Sequence, residues 1–229
     1  MTALAHKIRS RAHWEVFVRP ADFVADRVHY SELEHIVRKA AVRFRGWPVP
    51  FVDDRQQLTG GHDWVGQDID ADMVSHYEAW RMWTSGQFGH LRAVSADWRE
   101  GREATRVPVG FSGAIEVWEI LYYLTEVTEF AARLALSDAG SDVMTIEATL
   151  RGLEGRGLVV GQSNRAEFFE PYRSRVPEFT RTVVMPREAL VADVRQAAVD
   201  LAFELFARFG WQPSKDQLAE HQLELIEGR

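Results

Sequence analysis

Three aspartates at alternating positions, Asp68, Asp70 and Asp72, have the spacing with which a calcium-binding loop begins. The rest of that loop pattern is not in the sequence, because Met73 occupies the glycine position and Ala79 occupies the position of the bidentate glutamate. The sequence therefore predicts an acidic turn between two strands here. For the whole chain we predict no metal site and no cofactor.

A predicted hairpin around the dipeptide Ser85-Gly86 combines aromatic and basic residues that suit recognition of a partner. If its loop has two residues, Trp83 lies opposite Phe88. Side-chain alternation then predicts one face with six candidate binding residues, which are Tyr77, Arg81, Trp83, Phe88, His90 and Arg92. The opposite face is the predicted core face and carries Trp80, Met82, Leu91 and Ala93.

The aromatic and basic character of this face has two interpretations. Rings flanked by arginine and histidine are typical of a platform that stacks nucleobases or of a groove for an acidic peptide. The alternative is that Trp83 and Phe88 form a cross-strand pair under a helix and that the arginines are solvated. Either interpretation depends on the loop length, because a three-residue loop shifts the register and removes the predicted face.

Histidine and carboxylate residues provide weaker candidates for acid–base chemistry. His62, Asp63, His76 and His90 are of the residue types used in metal binding and proton transfer. The predicted hairpin places His76 and His90 on opposite faces, which argues against a shared site. Surface or core histidines with ordinary hydrogen bonds are the alternative.

Four glutamates lie on a helix whose other residues are mostly apolar, and a carboxylate in such surroundings often has a raised pKa. They are Glu116, Glu119, Glu126 and Glu129. The alternative is a narrow polar stripe in which Glu129 pairs with Arg133 one turn later. The nearby sequence Gly-Phe-Ser-Gly at 110–113 departs from the nucleophile-elbow pattern, so Ser112 is interpreted as a helix cap and we predict no catalytic residue.

Composition limits the class of protein. A chain of 229 residues with 46% hydrophobic content can bury a substantial core, and its net charge of −7 repels nucleic acid and anionic membranes. Without cysteine it has no disulfide and no thiolate site. Only three of its 27 basic residues are lysine, which we attribute to a GC-rich bacterial genome. No apolar run suits a membrane span or a signal peptide, so we expect a cytoplasmic protein without membrane contact.

Hydrophobic periodicity predicts a single α+β domain over 1–229, with a weak internal boundary near 99–112. Its sheet is antiparallel or mixed. The predicted elements are a strand at 13–19, an edge segment at 47–52, a meander at 62–95, a hairpin at 143–161, a strand at 180–185, covering helices at 31–45, 113–136 and 187–209, and a short helix starting near Ser214. Capping boxes are predicted at Ser31 with Glu34 and at Ser214 with Gln217.

Three segments carry a resemblance to a known family. The runs RFRGWPVPFVD, YEAWRMWTSGQFGHLRAVSADW and TEVTEFAARLAL resemble a bacterial domain that accompanies Schlafen/AlbA-type nucleic-acid-binding or ATP-binding proteins. The resemblance covers most of the chain through Leu205. It implies a companion module in a bacterial assembly, one that handles foreign nucleic acid, and it transfers no catalytic residue.

These observations favour a non-enzymatic interaction or sensing module whose partner is another protein or a second copy of the chain. Many aromatic residues without a convergent reactive group are more typical of a binder than of a catalyst. Two alternatives remain open. One is a nucleic-acid-binding accessory that uses the aromatic and basic face, and the other is a hydrolase built on His62, Asp63, His76 or the helical glutamates.

The acidic turn generates a prediction about metal removal. Neither EDTA nor Asp70→Asn should change the melting temperature by more than about 3 °C, since the acidic turn lacks the ligands for a tight metal site. Calorimetry with and without chelator measures this directly. A large drop in melting temperature with EDTA would show that the interpretation as a metal-free turn is wrong.

Overall fold

The structure, a computed structural model, describes residues 2–161 and 166–228. In chain order, the strands of this part are β1 (His13–Pro20), β2 (Val42–Arg45), β3 (Trp47–Val49), β4 (Thr59–Gly60), β5 (Trp64–Ala71), β6 (His76–Trp83), β7 (Phe88–Ala93), β8 (Ala114–Glu116), β9 (Val143–Arg151), β10 (Gly157–Val159), β11 (Tyr172–Arg173) and β12 (Glu178–Pro186). The helices are α1 (Ala3–Arg9), α2 (Leu33–Ala40), α3 (Val117–Ala135), α4 (Arg187–Ala192), α5 (Val194–Ala207) and α6 (Lys215–Glu227).

Seven strands form one antiparallel sheet in the order β12-β9-β1-β7-β6-β5-β4. A smaller sheet contains β11, β10 and β8, and β2 pairs with β3 in a separate ribbon. Strands from both sides of segment 99–112 contribute to the large sheet. The α+β class and the meander of three strands are therefore confirmed.

The main core lies between the large sheet and the long helix α3. Strand β1 alternates as its sequence predicts, with Trp14, Val16 and Val18 buried in this core. Helix α3 is buried around most of its circumference and contacts α2, α5 and α6 as well as β9. We call the sheet face that packs on α3 the inner face. Its burial of large apolar side chains supplies the main stabilisation of the fold.

The opposite or outer face of the sheet is covered in part by α1, a helix that the sequence reasoning missed. Leu4, Ala5 and Ile8 of α1 pack on a small second core formed by β6 and β7. Thr2 caps this helix by accepting the backbone N–H of Ala5. Because α1 has only seven residues, it leaves much of the outer face uncovered.

The predicted helix at 31–45 is too long. Helix α2 ends at Ala40, and Val42–Arg45 form strand β2. In a short segment, apolar residues at helical spacing can also fit the alternating pattern of a strand. Here Val42 is buried and Arg43 is exposed, as the alternation of a strand requires. The predicted capping box at Ser31 and Glu34 is wrong, because Glu32 occupies the N-cap and no side chain caps the helix.

The predicted hairpin at 143–161 is also wrong. Strand β9 exists, but it pairs with β1 and β12, whereas β10 pairs with β8 and β11 in the smaller sheet. Gly152 and Gly155 have positive φ angles in the connection after β9, where the chain turns away from the large sheet. Alternation within a strand identifies the strand but does not identify its partner.

Two further boundaries differ from the prediction. Helix α3 begins at Val117 rather than near 113, because residues 114–116 join the smaller sheet as β8. Ser112 does not cap that helix; its hydroxyl donates to the carbonyl of Glu154. The predicted helix at 187–209 is divided at Asp193 into α4 and α5. Helix α6 begins after Ser214 as predicted, although without a side-chain cap.

The helices differ from membrane-spanning segments. Among the described residues, no helix combines the length and the apolar character that a crossing of the bilayer requires. The longest helix, α3, instead packs inside the main core.

The packing of the inner face generates a stability prediction. Leu121 and Leu201 are both buried in the main core, so Leu121→Ala and Leu201→Ala should each lower the free energy of unfolding by about 2 to 5 kcal/mol. Leu136→Ala is the matched control, since Leu136 is exposed, and should cost less than about 1 kcal/mol. Urea denaturation measures all three variants. Equal losses in the core variants and the control would refute the assigned burial.

Candidate functional site

The register of the β6–β7 hairpin decides which residues can form a site together. The loop has three residues, 84–86, with Gly86 at a φ of 83° and with the N–H of Trp83 donating to the carbonyl of Gln87 at 2.9 Å. A three-residue loop that ends in a left-handed glycine is a common hairpin type. It pairs Met82 with Phe88, so the predicted pairing of Trp83 with Phe88 is wrong by one residue.

This register divides the six predicted binding residues between two faces. Tyr77, Arg81 and Trp83 lie on the outer face. Phe88, His90 and Arg92 lie on the inner face, across from Met82, Trp80 and Glu78 respectively. The predicted core residues Leu91 and Ala93 belong to the outer face and pack in the second core with α1. The predicted continuous face of six residues therefore does not exist, and the two halves must be considered separately.

The outer half forms part of a concave site of about 380 Å³ beside α1. Its floor consists of Ala79, Gly89 and Leu91, and its aromatic walls are Phe17, Trp64 and Trp83. Arg81 lines the site as well. We call this site the aromatic groove. Three of the six predicted residues line it, which are Arg81, Trp83 and His90, and its volume suits a single ring system.

Strand pairing explains why the rings meet here. Phe17 lies opposite Gly89 across β1 and β7, and Trp64 lies opposite Trp83 across β5 and β6. A Cβ atom added to Gly89 would lie 3.1 Å from the Phe17 ring and 3.2 Å from the Trp83 ring. Glycine at position 89 therefore lets both rings approach the floor of the groove, and a larger residue would displace them.

The charged residues that line the aromatic groove are paired with side chains of opposite charge. Arg81 binds Asp68 at 2.5 Å, and its guanidinium lies 5.0 Å from the centre of the Trp64 ring. Arg9 and Arg151 both bind Glu15 at 2.9 Å. Burial raises the pKa of Glu15, but hydrogen bonds from the two arginines outweigh it and lower the pKa below its ordinary value. The groove is therefore aromatic but close to electrically neutral, which differs from the basic face that the sequence predicts.

Tyr77 lies on the outer face but packs under α1, outside the groove. Its ring contacts Trp98 at 4.7 Å between centroids, with the Lys7 ammonium 4.0 Å above it. Its hydroxyl donates to Asp72, and burial together with that bond raises the pKa of Tyr77 to about 12. Asp70 binds Lys7 at 3.2 Å. The aspartates of the acidic turn thus bind side chains of the protein itself, and no group able to hold a metal ion is found in the described ranges.

On the inner half, two histidines contact one buried carboxylate. Nε2 of His76 lies 2.9 Å from Oε2 of Glu78, and Nε2 of His90 lies 3.4 Å from the same oxygen. The N–H of Phe51 donates to the other oxygen of Glu78 at 2.5 Å. The prediction that His76 and His90 lie on opposite faces is wrong, because it depended on the two-residue loop. Sequence reasoning did not single out Glu78.

The protonation state of Glu78 follows from these contacts. Burial by itself raises the pKa of this carboxyl, since its side chain is 0% exposed. The charges and hydrogen bonds of His90 and His76 act in the opposite direction and hold its pKa well below the usual value near 4.5. Glu78 is therefore ionised in the folded protein.

The remaining inner residues connect this carboxylate to α3. The Tyr123 hydroxyl lies 2.9 Å from Nδ1 of His90, and burial raises the pKa of this tyrosine. The Arg92 guanidinium lies 4.8 Å from the centre of the Tyr123 ring. Phe88 packs on Phe130 at 4.4 Å between centroids. Phe88 is therefore covered by a helix, as the alternative interpretation of the predicted face expected. Its aromatic partner, however, is Phe130 on α3 and not Trp83.

The helical glutamates do not converge on a common site. Glu116 binds Arg99 at 2.6 Å, Glu119 accepts the N–H of Ser95 at 2.9 Å, and Glu126 binds Arg45 through both oxygens. Glu129 pairs with Arg133 at 3.0 Å as predicted. His62 and Asp63 are exposed in the loop before β5.

Two aromatic residues of the groove, Phe17 and Trp64, were not predicted, although the sequence holds a signal for one of them. In β1, Phe17 lies on the same side of the strand as the polar residues Glu15 and Arg19. A large exposed ring among polar side chains indicates that this side of the sheet contacts something apolar. Trp64 has no comparable signal, since its position depends on the pairing with Trp83.

No family model, curated protein or solved structure matches the chain. The resemblance to the domain that accompanies Schlafen/AlbA-type proteins therefore stays a prediction. Function has to be argued from the geometry of the sites alone.

Glu78 generates a prediction about pH. Its folded-state pKa is depressed, so the stability gained from its ionisation is present above about pH 4.5 and is lost as the pH falls towards the lowered value. Glu78→Gln should lower the free energy of unfolding by about 3 kcal/mol at neutral pH, since it leaves the buried histidines without their carboxylate. The variant should also lose less stability than the wild type on acidification. Glu220→Gln, at an exposed position, is the control.

Urea denaturation at several pH values measures both effects. If wild type and Glu78→Gln lost the same amount of stability between neutral pH and about pH 3, the assignment of an ionised Glu78 would be wrong. The Glu220→Gln control should follow the wild type throughout.

Proposed function

We propose that the chain is a non-enzymatic binding module and that its aromatic groove receives an aromatic side chain of a protein partner. The observation that carries this proposal is the arrangement of Phe17, Trp64 and Trp83 around a floor of small and aliphatic residues beside α1. Aromatic residues concentrate binding energy at interfaces, because they bury a large area at low conformational cost. The partner is another protein or a second copy of this chain.

The electrostatics of the groove favour a protein partner over nucleic acid. Single-stranded nucleic acid is bound by aromatic platforms combined with arginines or lysines that contact phosphates. Here Arg81 is paired with Asp68, and Arg9 is paired with Glu15. A phosphate would have to displace these carboxylates, and the net charge of −7 opposes its approach. The nucleic-acid alternative, including a role with foreign nucleic acid, is therefore the second choice.

The polar residues of the groove also favour binding over catalysis. A catalytic site needs a reactive group near a base that is free to accept a proton. Glu15 contacts two arginines, and Asp68 contacts Arg81. Both carboxylates are occupied by these contacts, so they can fix the orientation of a ligand better than they can transfer a proton.

The proposal predicts separable effects of two tryptophans. Trp83→Ala should weaken binding of an aromatic peptide, selected against the full chain from a displayed library, by at least about 30-fold, as expected for an anchor worth about 2 kcal/mol. Trp47→Ala is the matched control, since Trp47 is exposed and lies outside the groove, and its affinity should equal that of wild type. Calorimetric titration measures the affinities.

Two results would contradict the proposal. One is that Trp83→Ala binds the peptide as tightly as wild type does, while circular dichroism shows that both proteins are folded. The other is tight binding of single-stranded DNA or RNA whose affinity falls steeply with salt, because counterion release identifies phosphate recognition. That second result would establish the nucleic-acid alternative.

A further inference from the structure

A second concave site lies on the inner side of the sheet, between the β2–β3 ribbon and α3. It has a volume of about 220 Å³. Its charged lining residues are Arg45, His76, Arg92 and Glu126, and its apolar lining residues are Trp47, Pro48, Val49 and Val74. We call it the arginine cavity. It shares no lining residue with the aromatic groove.

Arg92 is the unusual member of this lining. Its side chain is 8% exposed, and its Nη1 atom has no hydrogen-bond partner among the described residues. The nearest carboxylate oxygen, Oε2 of Glu126, is 4.0 Å away, which is beyond hydrogen-bond distance. A buried guanidinium with an unsatisfied N–H is costly, so such a group usually has an acceptor.

The other charged groups around the cavity already have partners. Glu126 is bound by Arg45 through both oxygens, and His76 is bound to Glu78 at 2.9 Å. Because two of the hydrolase candidates, His76 and Glu126, are held in this way, the cavity offers no free base. The carboxylate of Glu78 lies behind His76 and across from Arg92, but it is shared by His76 and His90. Arg92 is therefore the charged lining residue that has no carboxylate within hydrogen-bond distance, and it is the group that could pair with a single negative charge.

The shape of the lining indicates which anion fits. A guanidinium presents parallel N–H groups that match the two oxygens of a carboxylate. Trp47, Val49 and Val74 offer apolar contact for a hydrocarbon body, and a cavity of about 150 Å³ already holds benzene in another protein. A dianionic phosphate is less suitable, since it would lie near the carboxylates of Glu126 and Glu78 with only Arg92 to balance its two charges.

We propose that the arginine cavity binds a small organic monocarboxylate, with its carboxylate on Arg92 and its apolar body against Trp47 and Val74. The carboxylate binds the guanidinium of Arg92, which lines the cavity and whose Nη1 has no hydrogen-bond partner among the described residues. Binding is reversible and involves no covalent step. This gives the protein a small-molecule site that is independent of the aromatic groove and of any protein partner bound there.

Titration of the full chain with 4-fluorobenzoate, followed by fluorine NMR, tests the proposal. We expect saturable binding with a dissociation constant on the order of 1 mM or tighter, and at least about tenfold weaker binding of 4-fluorobenzyl alcohol, which lacks the charge. Arg92→Met should weaken the binding of 4-fluorobenzoate at least about tenfold. Arg156→Met is the matched control, because Arg156 is similarly buried but is held by both oxygens of Asp97 and does not line the cavity.

A second variant keeps the test decisive if Arg92→Met does not fold. Val74→Trp changes an exposed residue at the cavity lining, so the larger ring should obstruct the cavity and weaken binding without disturbing the core. No saturable binding of 4-fluorobenzoate by wild type up to about 10 mM would overturn the proposal. The proposal would also be overturned if the folded variants bound 4-fluorobenzoate as tightly as wild type does. The same holds if inorganic phosphate displaced the probe as effectively as unlabelled benzoate does.

Discussion

The register of the β6–β7 hairpin is the constraint on which both proposed sites depend. Side chains along a strand alternate between faces, so a shift of one residue moves every side chain of β7 to the other face. The left-handed Gly86 ends a three-residue loop, and this loop places Gly89 rather than His90 beneath the rings of the outer face. The same shift brings His90 to the inner face, where it contacts Glu78.

The contacts of the buried Glu78 explain how charged residues are tolerated on an otherwise apolar face. An isolated carboxylate at this depth would be strongly destabilising, but His76 and the backbone N–H of Phe51 bind its two oxygens, and the ring of His90 lies 3.4 Å away. Arg45 and Glu126 neutralise each other in the same way. Arg92 departs from this pattern, because its Nη1 has no hydrogen-bond partner among the described residues and its nearest carboxylate oxygen is 4.0 Å away; in this respect the arginine cavity differs from a purely structural ionic cluster.

The two faces of one sheet thus present different chemistry. The aromatic groove is wide, aromatic and close to neutral, because its arginines are bound by carboxylates. The arginine cavity is smaller, and its Arg92 has no carboxylate within hydrogen-bond distance. A surface that buries aromatic area suits a macromolecular contact, whereas a small charged cavity suits a small anion. Adjacent strands β6 and β7 contribute to both, so a ligand on the inner face and a partner on the outer face would contact the same two strands.

The sequence by itself determined the elements with strong periodicity. The alternation in β1 and β9 and the apolar circumference of α3 identified these elements, because local spacing alone decides which faces can be buried. The candidate residues Arg81 and Trp83 were also found from sequence. Pairing was decided only by tertiary structure: β9 joins β1 rather than β10, and Trp64 meets Trp83 across the sheet. Contacts between residues distant in sequence depend on loop geometry and on competition among all strands, and a local pattern does not contain that information.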